Sequence, residues 1–525
     1  MTSSMMRLTQ GIHRALSLYP RRRAVVSAEG EITWEQFADR VARLAGALRE
    51  LGVGPGDRVA MLALNSPRYV EYYFAVLWAG GVLAPVNCRW AAPEKAHCLN
   101  DSGAKVLLAD AAHLPEALEL LETCGSVSHL VSCGEVEGSG TAALGYESLV
   151  SASLPVEDAE RGGADLAALF YTGGTTGRAK GVMLSHDNFI ANSMTALVNL
   201  GISEHSVHLH VAPLFHLAGG SRLFTLTVAG GTHAVIPRFD AAEFLGAIER
   251  FGVTVTVIVP TMLNTLLQHP NFEAFDLSSL DLLCYGASPM PESLLREAME
   301  RLPGARFLQS YGMTELSPVA TMLEPQFHTF EGPLAGKIRS AGRAVFNADV
   351  AIMSPDDLPL ASGEVGEICV RGPMVMQGYW GQPELTAQAL RGGWMHTGDA
   401  GYLDDDGFLF LVDRVKDMII TGGENVYSAA VENVLYLHPG VHECAVIGVP
   451  SDAWGEAVHA IIVPRGGARL DEAAVIEHCR AYLAGYECPK TVEFVDAELP
   501  KSGAGKILKA ELRKTYWQGQ ARNIH

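Results

Sequence analysis

The chain has 525 residues, 48% of them apolar, and a formal net charge of -20. That length exceeds one ordinary domain and supplies side chains for two or more cores, while the acidic balance argues against nucleic acid or an anionic membrane surface as a partner, since only Arg21-Arg22-Arg23 forms a basic run. The nine cysteines form no C-x-x-C pair, which fits free thiols in a reducing compartment, the cytoplasm by default, and the longest uncharged apolar stretch, Phe74 to Cys88, is too short for stable membrane insertion.

Residues 1–23 carry five arginines and no acid, but Leu8 to Leu18 reads as an ordinary first helix rather than a transit peptide, ahead of a strand at Ala24 to Val26. From Asp57 to Gln309 strand-like and helix-like runs alternate, the pattern of parallel sheets covered by helices. Strands are expected at Arg58–Leu64, Val82–Val86, Lys105–Ala109, Thr254–Val259 and Leu282–Tyr285. Helices are expected at Arg68–Ala79, Pro93–Asn100, Asp240–Phe251, Thr261–His269 and Pro291–Leu302. Gly134 to Gly163, rich in Gly, Glu and Ser, reads as a surface connection. From Gly336 to Asp413 short apolar runs separated by Gly, Pro and Asp turns predict a barrel or small sheet. After Lys416 a compact α+β pattern follows, with a helix at Ala429–Leu437, strands at Ala445–Val449 and Val458–Val463, and a helix at Glu472–Leu483.

The segment Tyr171-Thr-Gly-Gly-Thr-Thr-Gly-Arg-Ala-Lys-Gly181 carries chemistry in its spacing. An apolar run, Leu166 to Phe170, leads in and a helical pattern begins near Ser185, so it reads as a strand-to-helix loop. Glycines let backbone N–H groups turn toward an anion, threonine hydroxyls add donors, and Lys180 adds a mobile positive charge. It is not a Walker loop, which needs Gly-Lys followed by Ser or Thr, because Lys180 lies between Ala179 and Gly181. It also lacks the glycine offsets of a dinucleotide fingerprint.

Four further stretches carry complementary groups. In Tyr311-Gly-Met-Thr-Glu315, which follows an expected strand, Tyr311 offers a stacking face for a base, Thr314 a donor and Glu315 an oxygen ligand for magnesium. His396-Thr-Gly-Asp399 and Asp413-Arg-Val-Lys-Asp417 supply an acid and a base for ribose hydroxyls, and Pro500-Lys-Ser-Gly-Ala-Gly-Lys506 is a second glycine-rich loop ending in lysine. Each alone is an ordinary polar turn.

In this order the stretches resemble the adenylate-forming superfamily of acyl-CoA synthetases, aryl-CoA ligases, luciferase and peptide-synthetase adenylation domains, with the match running from about residue 24 to 515. The resemblance implies an α/β fold: a large N-terminal part, residues 1–415, of two helix-covered sheets plus a β-barrel, and a small mobile α+β domain, residues 416–525, hinged at Lys416. It implies ATP with adenine on Tyr311 and the backbone of Gly286, Ala287 and Ser288, and ribose on Asp399 and Arg414. The phosphates would lie along Thr172, Gly173, Gly174, Thr175, Thr176, Gly177 and Lys180. Thr314 and Glu315 would face the α-phosphate and Mg2+, Lys506 would stabilise the adenylation transition state, and His216 would stand at the mouth of the carboxylate pocket. Gly422, Gly423 and Asn425 would border the pantetheine arm of coenzyme A.

The chain departs from the family pattern at Gly173, Ala179, Ser310, Ser428 and Glu487, but no group the reaction needs is lost. No Asp or Glu lies between Ala212 and Arg238, so a substrate ammonium would find no partner, and an uncharged fatty or aryl carboxylic acid is indicated. His208 and His210 share one strand face without further metal ligands at sensible spacing. The expectation is a CoA ligase working through acyl-AMP. The alternatives are an adenylating enzyme that loads a carrier protein and a non-catalytic nucleotide sensor, and a homodimer is compatible with either.

Overall fold

The computed structural model describes residues 5–134, 143–172, 178–288, 290–414, 417–422, 424–451, 453–466, 468, 470–501 and 507–517, without the side chains of Arg414 and Asn425. Gly173, Gly174, Thr175, Thr176, Gly177, Lys416, Gly423 and Lys506 lie outside the described residues.

Among the described residues, two large sheets organise the chain up to residue 414. A nine-stranded sheet runs in the order Arg343–Ala344, Val319–Leu323, Arg306–Gly312, Leu282–Gly286, Val255–Ile258, Val207–His210, Thr232–Val235, Arg23–Ser27, Gly30–Thr33, parallel through its centre and antiparallel at its edges. An eight-stranded sheet runs Gly378–Tyr379, Lys180–Ser185, Leu166–Thr172, Val82–Pro85, Arg58–Leu62, Val106–Ala109, His129–Ser132, Ala143–Gly145. The helices Pro67–Ala79, His186–Leu200 and Leu217–Ala229 share one core with both sheets. That location explains the long apolar run from Phe74: Tyr69 to Ala79 is buried on every face because sheets lie on both sides.

The expected α/β alternation is present, with boundaries shifted by a residue or two. Start and stop signals are local: Ser66 caps Pro67–Ala79, Thr33 and Gln36 form a capping box, and Gly80, Gly201, Gly230 and Gly252 close helices in the left-handed conformation. The segment read as a surface connection contains a strand, Ala143–Gly145, and a helix, Tyr146–Ala152, whose Tyr146 donates to buried Glu71 at 2.5 Å. One expectation fails. The loop after Thr172 does not enter a helix directly: Lys180–Ser185 returns antiparallel to Leu166–Thr172, Thr172 faces Lys180, and only then does Ser185 cap His186–Leu200. The strand is mostly buried, with only Lys180 and Met183 partly exposed, and the glycine-rich run before it hides the signal.

The β-rich stretch forms a four-stranded antiparallel sheet of Asp349–Met353, Gly366–Arg371, Met395–Leu403 and Leu409–Arg414. From Asp417 onward a five-stranded sheet packs the helices Ser428–Tyr436 and Glu472–Arg480 around its own core of Val431, Leu435, Val446, Val458, Ile462 and Val475. Among the described residues no helix is long and apolar enough to cross a membrane.

The core of the large part also buries imidazoles. Burial pulls His186 and His328 down to about 4 and His210 to about 3, and holds His208 and His233 well below the usual 6.5. Unfolding frees these rings to bind protons near 6.5, so below that pH the unfolded chain takes up protons the folded chain refuses. Carboxylates held low, such as Asp57, Asp110 and Asp158, act only below their ordinary 3.8. Denaturant titrations are therefore expected to show stability falling steadily from pH 6.5 to about 4.5. A flat profile across that window would mean that the imidazoles are not buried neutral.

Candidate active site

The described residues of the sequence motifs are carried by strands and turns of three sheets. Strand Arg306–Gly312 carries Tyr311 at its end, and the following 3-10 turn, Thr314–Leu316, presents Thr314 and the buried Glu315. Tyr311 donates to Asp399 Oδ2 at 2.8 Å, and Asp399 pairs in register with Arg414 on the neighbouring strand. Tyr379, on the edge strand beside Lys180–Ser185, donates to Glu315 Oε1 at 2.9 Å. Lys180 Nζ lies 5.3 Å from the centre of the Tyr379 ring, a cation–π arrangement. Burial raises the Tyr379 pKa, and the charge and hydrogen bond of Glu315 push the same way, so the hydroxyl remains a donor at neutral pH.

Backbone groups complete the frame. Met376 N donates to the Glu315 carbonyl at 2.8 Å, and Trp380 N to the Gly181 carbonyl at 2.7 Å. Tyr171 anchors the first strand of the phosphate hairpin by donating to Asp101 Oδ2 at 2.6 Å. Gly286 pairs with Ser310, and a Cβ on Gly286 would meet the Ser310 carbonyl oxygen at 2.3 Å. The glycine thus lets the two backbones approach closely at this point. Ala287 follows with φ of 65°, which turns the Gly286–Ser288 backbone away from the strand.

The contacts thus form two sets: Lys180 and Glu315 are joined through Tyr379, and Tyr311 is joined to Asp399, with the Arg414 backbone alongside. His216 is placed apart from this chain of contacts, as the N-cap of Leu217–Ala229, where its carbonyl accepts from the Gly219 and Gly220 N–H groups. Gly422, at φ of 61°, turns the hairpin between Ile419–Thr421 and Glu424–Val426, and its N–H donates to the Trp454 carbonyl at 2.8 Å.

Two contributors escaped the reading of the sequence. Tyr379 bridges Glu315 and Lys180, and its only local signal is the Gly-Tyr-Trp turn after an apolar run. Glu367 accepts from the Gly398 N–H at 3.0 Å through one oxygen and contacts His396 Nδ1 at 2.8 Å through the other, which holds the turn that carries Asp399. Glu367, Cys369 and His396 gather potential ligand atoms within 4.8 Å, but these hydrogen bonds already employ them. The donor set around Glu315, a carboxylate and the Thr314 hydroxyl, is hard oxygen chemistry suited to magnesium.

A family description of AMP-binding enzymes matches residues 12–380, and that of the AMP-binding enzyme C-terminal domain matches residues 430–506. The chain is 43% identical over 505 residues to a feruloyl-CoA synthase from Amycolatopsis sp., covering 96% of this chain and 98% of that one. It is 36% identical over 516 residues to the fatty acid–[acyl-carrier-protein] ligase ScoC of Streptomyces coeruleorubidus, covering 96% of each. Among solved structures, ATP-bound MatB from Rhodopseudomonas palustris superposes with a TM-score of 0.87 at 32% identity, covering 98% of this chain and 99% of that one.

Fold and site together define an adenylate-forming enzyme. The chain belongs to the AMP-binding enzyme family, and it is an AMP-forming carboxylate–CoA ligase that uses ATP, Mg2+ and coenzyme A.

Tyr379→Phe keeps the ring beneath Lys180 and removes the donor to Glu315. The expected result is a loss of roughly tenfold in kcat/KM for ATP in pyrophosphate release, the scale of one hydrogen bond to a charged group, with a lower melting temperature because the buried Glu315 carboxylate loses a donor. Unchanged ATP kinetics would show that the bond has no part in nucleotide handling.

Proposed function

We propose that this ligase activates an uncharged fatty or aryl carboxylic acid, with the site residues acting as follows. Adenine lies against Tyr311 and the Gly286–Ala287–Ser288 backbone. The ribose hydroxyls lie on Asp399 and Arg414, and the phosphates follow the hairpin from Thr172 to Lys180. The observation that carries this reading is the linkage of Lys180 to Glu315 through Tyr379, which puts a cation of the hairpin beside the acidic turn.

The substrate carboxylate attacks the α-phosphorus and pyrophosphate leaves, so the protein must offset repulsion between two anions and hold the charge that grows on the phosphoryl oxygens. Thr314 and Lys180 donate from the large part, and Lys506 from the C-terminal loop. Glu315 with Thr314 would hold Mg2+, which lowers the charge of the triphosphate when bound. The acyl-adenylate then meets the thiolate of coenzyme A, which attacks the acyl carbon and releases AMP. For that step the small domain turns about Lys416, taking Lys506 away and bringing Gly422, Gly423 and Asn425 beside the pantetheine arm. His216 borders the entrance for the acid. The nine free cysteines support a reducing compartment, and we place the enzyme in the cytoplasm.

The 36% identity to a ligase named for an acyl-carrier-protein acceptor keeps carrier loading as a second reading. Thioester formation with free coenzyme A alone favours the first reading, and adenylate formation without any response to free coenzyme A favours the second. ATP binding with no pyrophosphate release for any acid would leave only a nucleotide sensor.

Lys506→Ala is expected to slow adenylation by about a hundredfold or more while a supplied acyl-adenylate still passes to coenzyme A. Wild-type adenylation in that variant would remove Lys506 from the first step. Lys416→Pro is expected to give the reverse split, with adenylate formed and thioester absent, and loss of both steps would place the hinge elsewhere.

A further inference from the structure

The helix Leu217–Ala229, which starts at His216, buries an arginine that no part of the proposed chemistry uses. Arg222 is 4% exposed and its neighbour Ser221 is 3% exposed. Arg222 Nε and Nη1 and Ser221 Oγ are enclosed and have no hydrogen-bond partner, and among the described residues no carboxylate lies within ion-pair distance of the guanidinium. The titratable groups it acts on, Cys284 and His208, belong to the strands on either side of Val255–Ile258, and neither is an acid that ionises at neutral pH here. Burial depresses the guanidinium pKa. An unpaired buried charge costs several kcal/mol, and unsatisfied buried donors are rare enough to need a reason.

Position supplies the reason. Arg222 lies six residues after His216, which at helical rise is about 9 Å further along the axis, one turn before the buried Leu226 on the same helix face. Cys284 is two residues before Gly286, on the strand that ends at the adenine segment. The guanidinium is thus enclosed by the helix that begins at the acid entrance and the strand that ends at the nucleotide.

Its open atoms also restrict the ligand. Nε and Nη1 lie on opposite edges of the guanidinium, so one carboxylate cannot meet both of these enclosed donors. They suit single acceptors, with the Ser221 hydroxyl adding one more donor or acceptor. A rigid spacer that holds an oxygen at fixed depth loses less entropy on binding than a flexible chain.

Resting on the ligase reading above, we propose that Arg222 with Ser221 selects an aryl acid whose ring carries an uncharged oxygen, hydroxyl or alkoxy, at the end remote from the carboxylate. The oxygen accepts from the guanidinium and completes hydrogen bonds that the free protein leaves unmade. Acids without that oxygen enter the same apolar walls but leave the donors unpaired, which lowers their transition-state binding.

The test is pyrophosphate release by the full chain with cinnamate, 4-hydroxycinnamate, 4-methoxycinnamate, 4-carboxycinnamate and octanoate, for wild type, Arg222→Leu and Arg222→Lys. Wild type is expected to favour the hydroxy and methoxy acids over cinnamate by about tenfold or more in kcat/KM. Arg222→Leu is expected to bring that ratio to near one, chiefly through KM, and Arg222→Lys to restore part of it. Arg222→Leu is also expected to melt no lower than wild type, because an unpaired buried charge is replaced by an apolar group. Equal use of cinnamate and its hydroxy derivative by wild type, or preference for the carboxylated acid or for octanoate, would overturn the proposal. So would a large fall in melting temperature for Arg222→Leu, which would show that the protein itself satisfies the guanidinium. Absence of pyrophosphate release with every acid would instead sink the ligase reading, so the two failures are distinguishable.

Discussion

The hydrogen bond from Tyr379 to the buried Glu315 carboxylate ties two sheets together, beside the bond from the Met376 N–H to the Glu315 carbonyl. Tyr379 belongs to the edge strand of the eight-stranded sheet, and Glu315 follows a strand of the nine-stranded one. A carboxylate at 5% exposure is expensive unless a donor meets it, and the tyrosine hydroxyl, with its pKa raised by burial and by that same carboxylate, remains protonated to do so. The ring of the same tyrosine lies under Lys180. One side chain therefore spaces Lys180 from the acidic turn. On a chain with a net charge of -20, such local placement of positive charge is the condition for holding a triphosphate at all.

What could be read in the sequence was whatever depends on neighbours in the chain. Alternation of strand and helix, the capping serines and glycines, and the ordered motifs depend on spacing of a few residues, and these located the two parallel sheets and the small C-terminal unit. The errors have the same cause. The hairpin return at Lys180–Ser185 was concealed because its pairing is set by Leu166–Thr172 across a glycine-rich run, and glycine and threonine report little about direction. Tyr379 lies 64 residues from Glu315, and Glu367 lies 31 from Gly398, so their roles come from pairings between sheets that no local pattern encodes. Ser428 was visible as a departure from the family pattern, but its partners were not.

Those partners bear on the proposed swing about Lys416. Ser428 donates to Asp413 Oδ2 at 2.6 Å, and Lys509 reaches both Ser428 at 2.6 Å and Glu432 at 2.7 Å. Asp413 precedes the proposed hinge and the other three residues follow it, so a swing about Lys416 must break the Ser428–Asp413 bond and leave the Lys509–Glu432 pair intact. One charge-assisted hydrogen bond is worth roughly 1.5–3 kcal/mol net, enough to bias two arrangements by about ten- to a hundredfold without locking either. A proline at this position would have offered no hydroxyl for such a bias.

Two cations differ in what surrounds them. Lys180 lies over the Tyr379 ring, while Arg222 is buried with open donors. An arginine kept for stability alone would be expected to hold a carboxylate, as Arg40 does: it grips Glu71 at 2.6 Å and Glu147 at 3.0 Å, and these acids raise its pKa against the opposing effect of burial. Arg222 has the burial without the acids, and its pKa moves the opposite way. The contrast matters because discrimination by a hydrogen-bonding pocket comes less from the bond a correct ligand makes than from the donor a wrong one leaves unpaired, and only a group already dehydrated can impose that penalty.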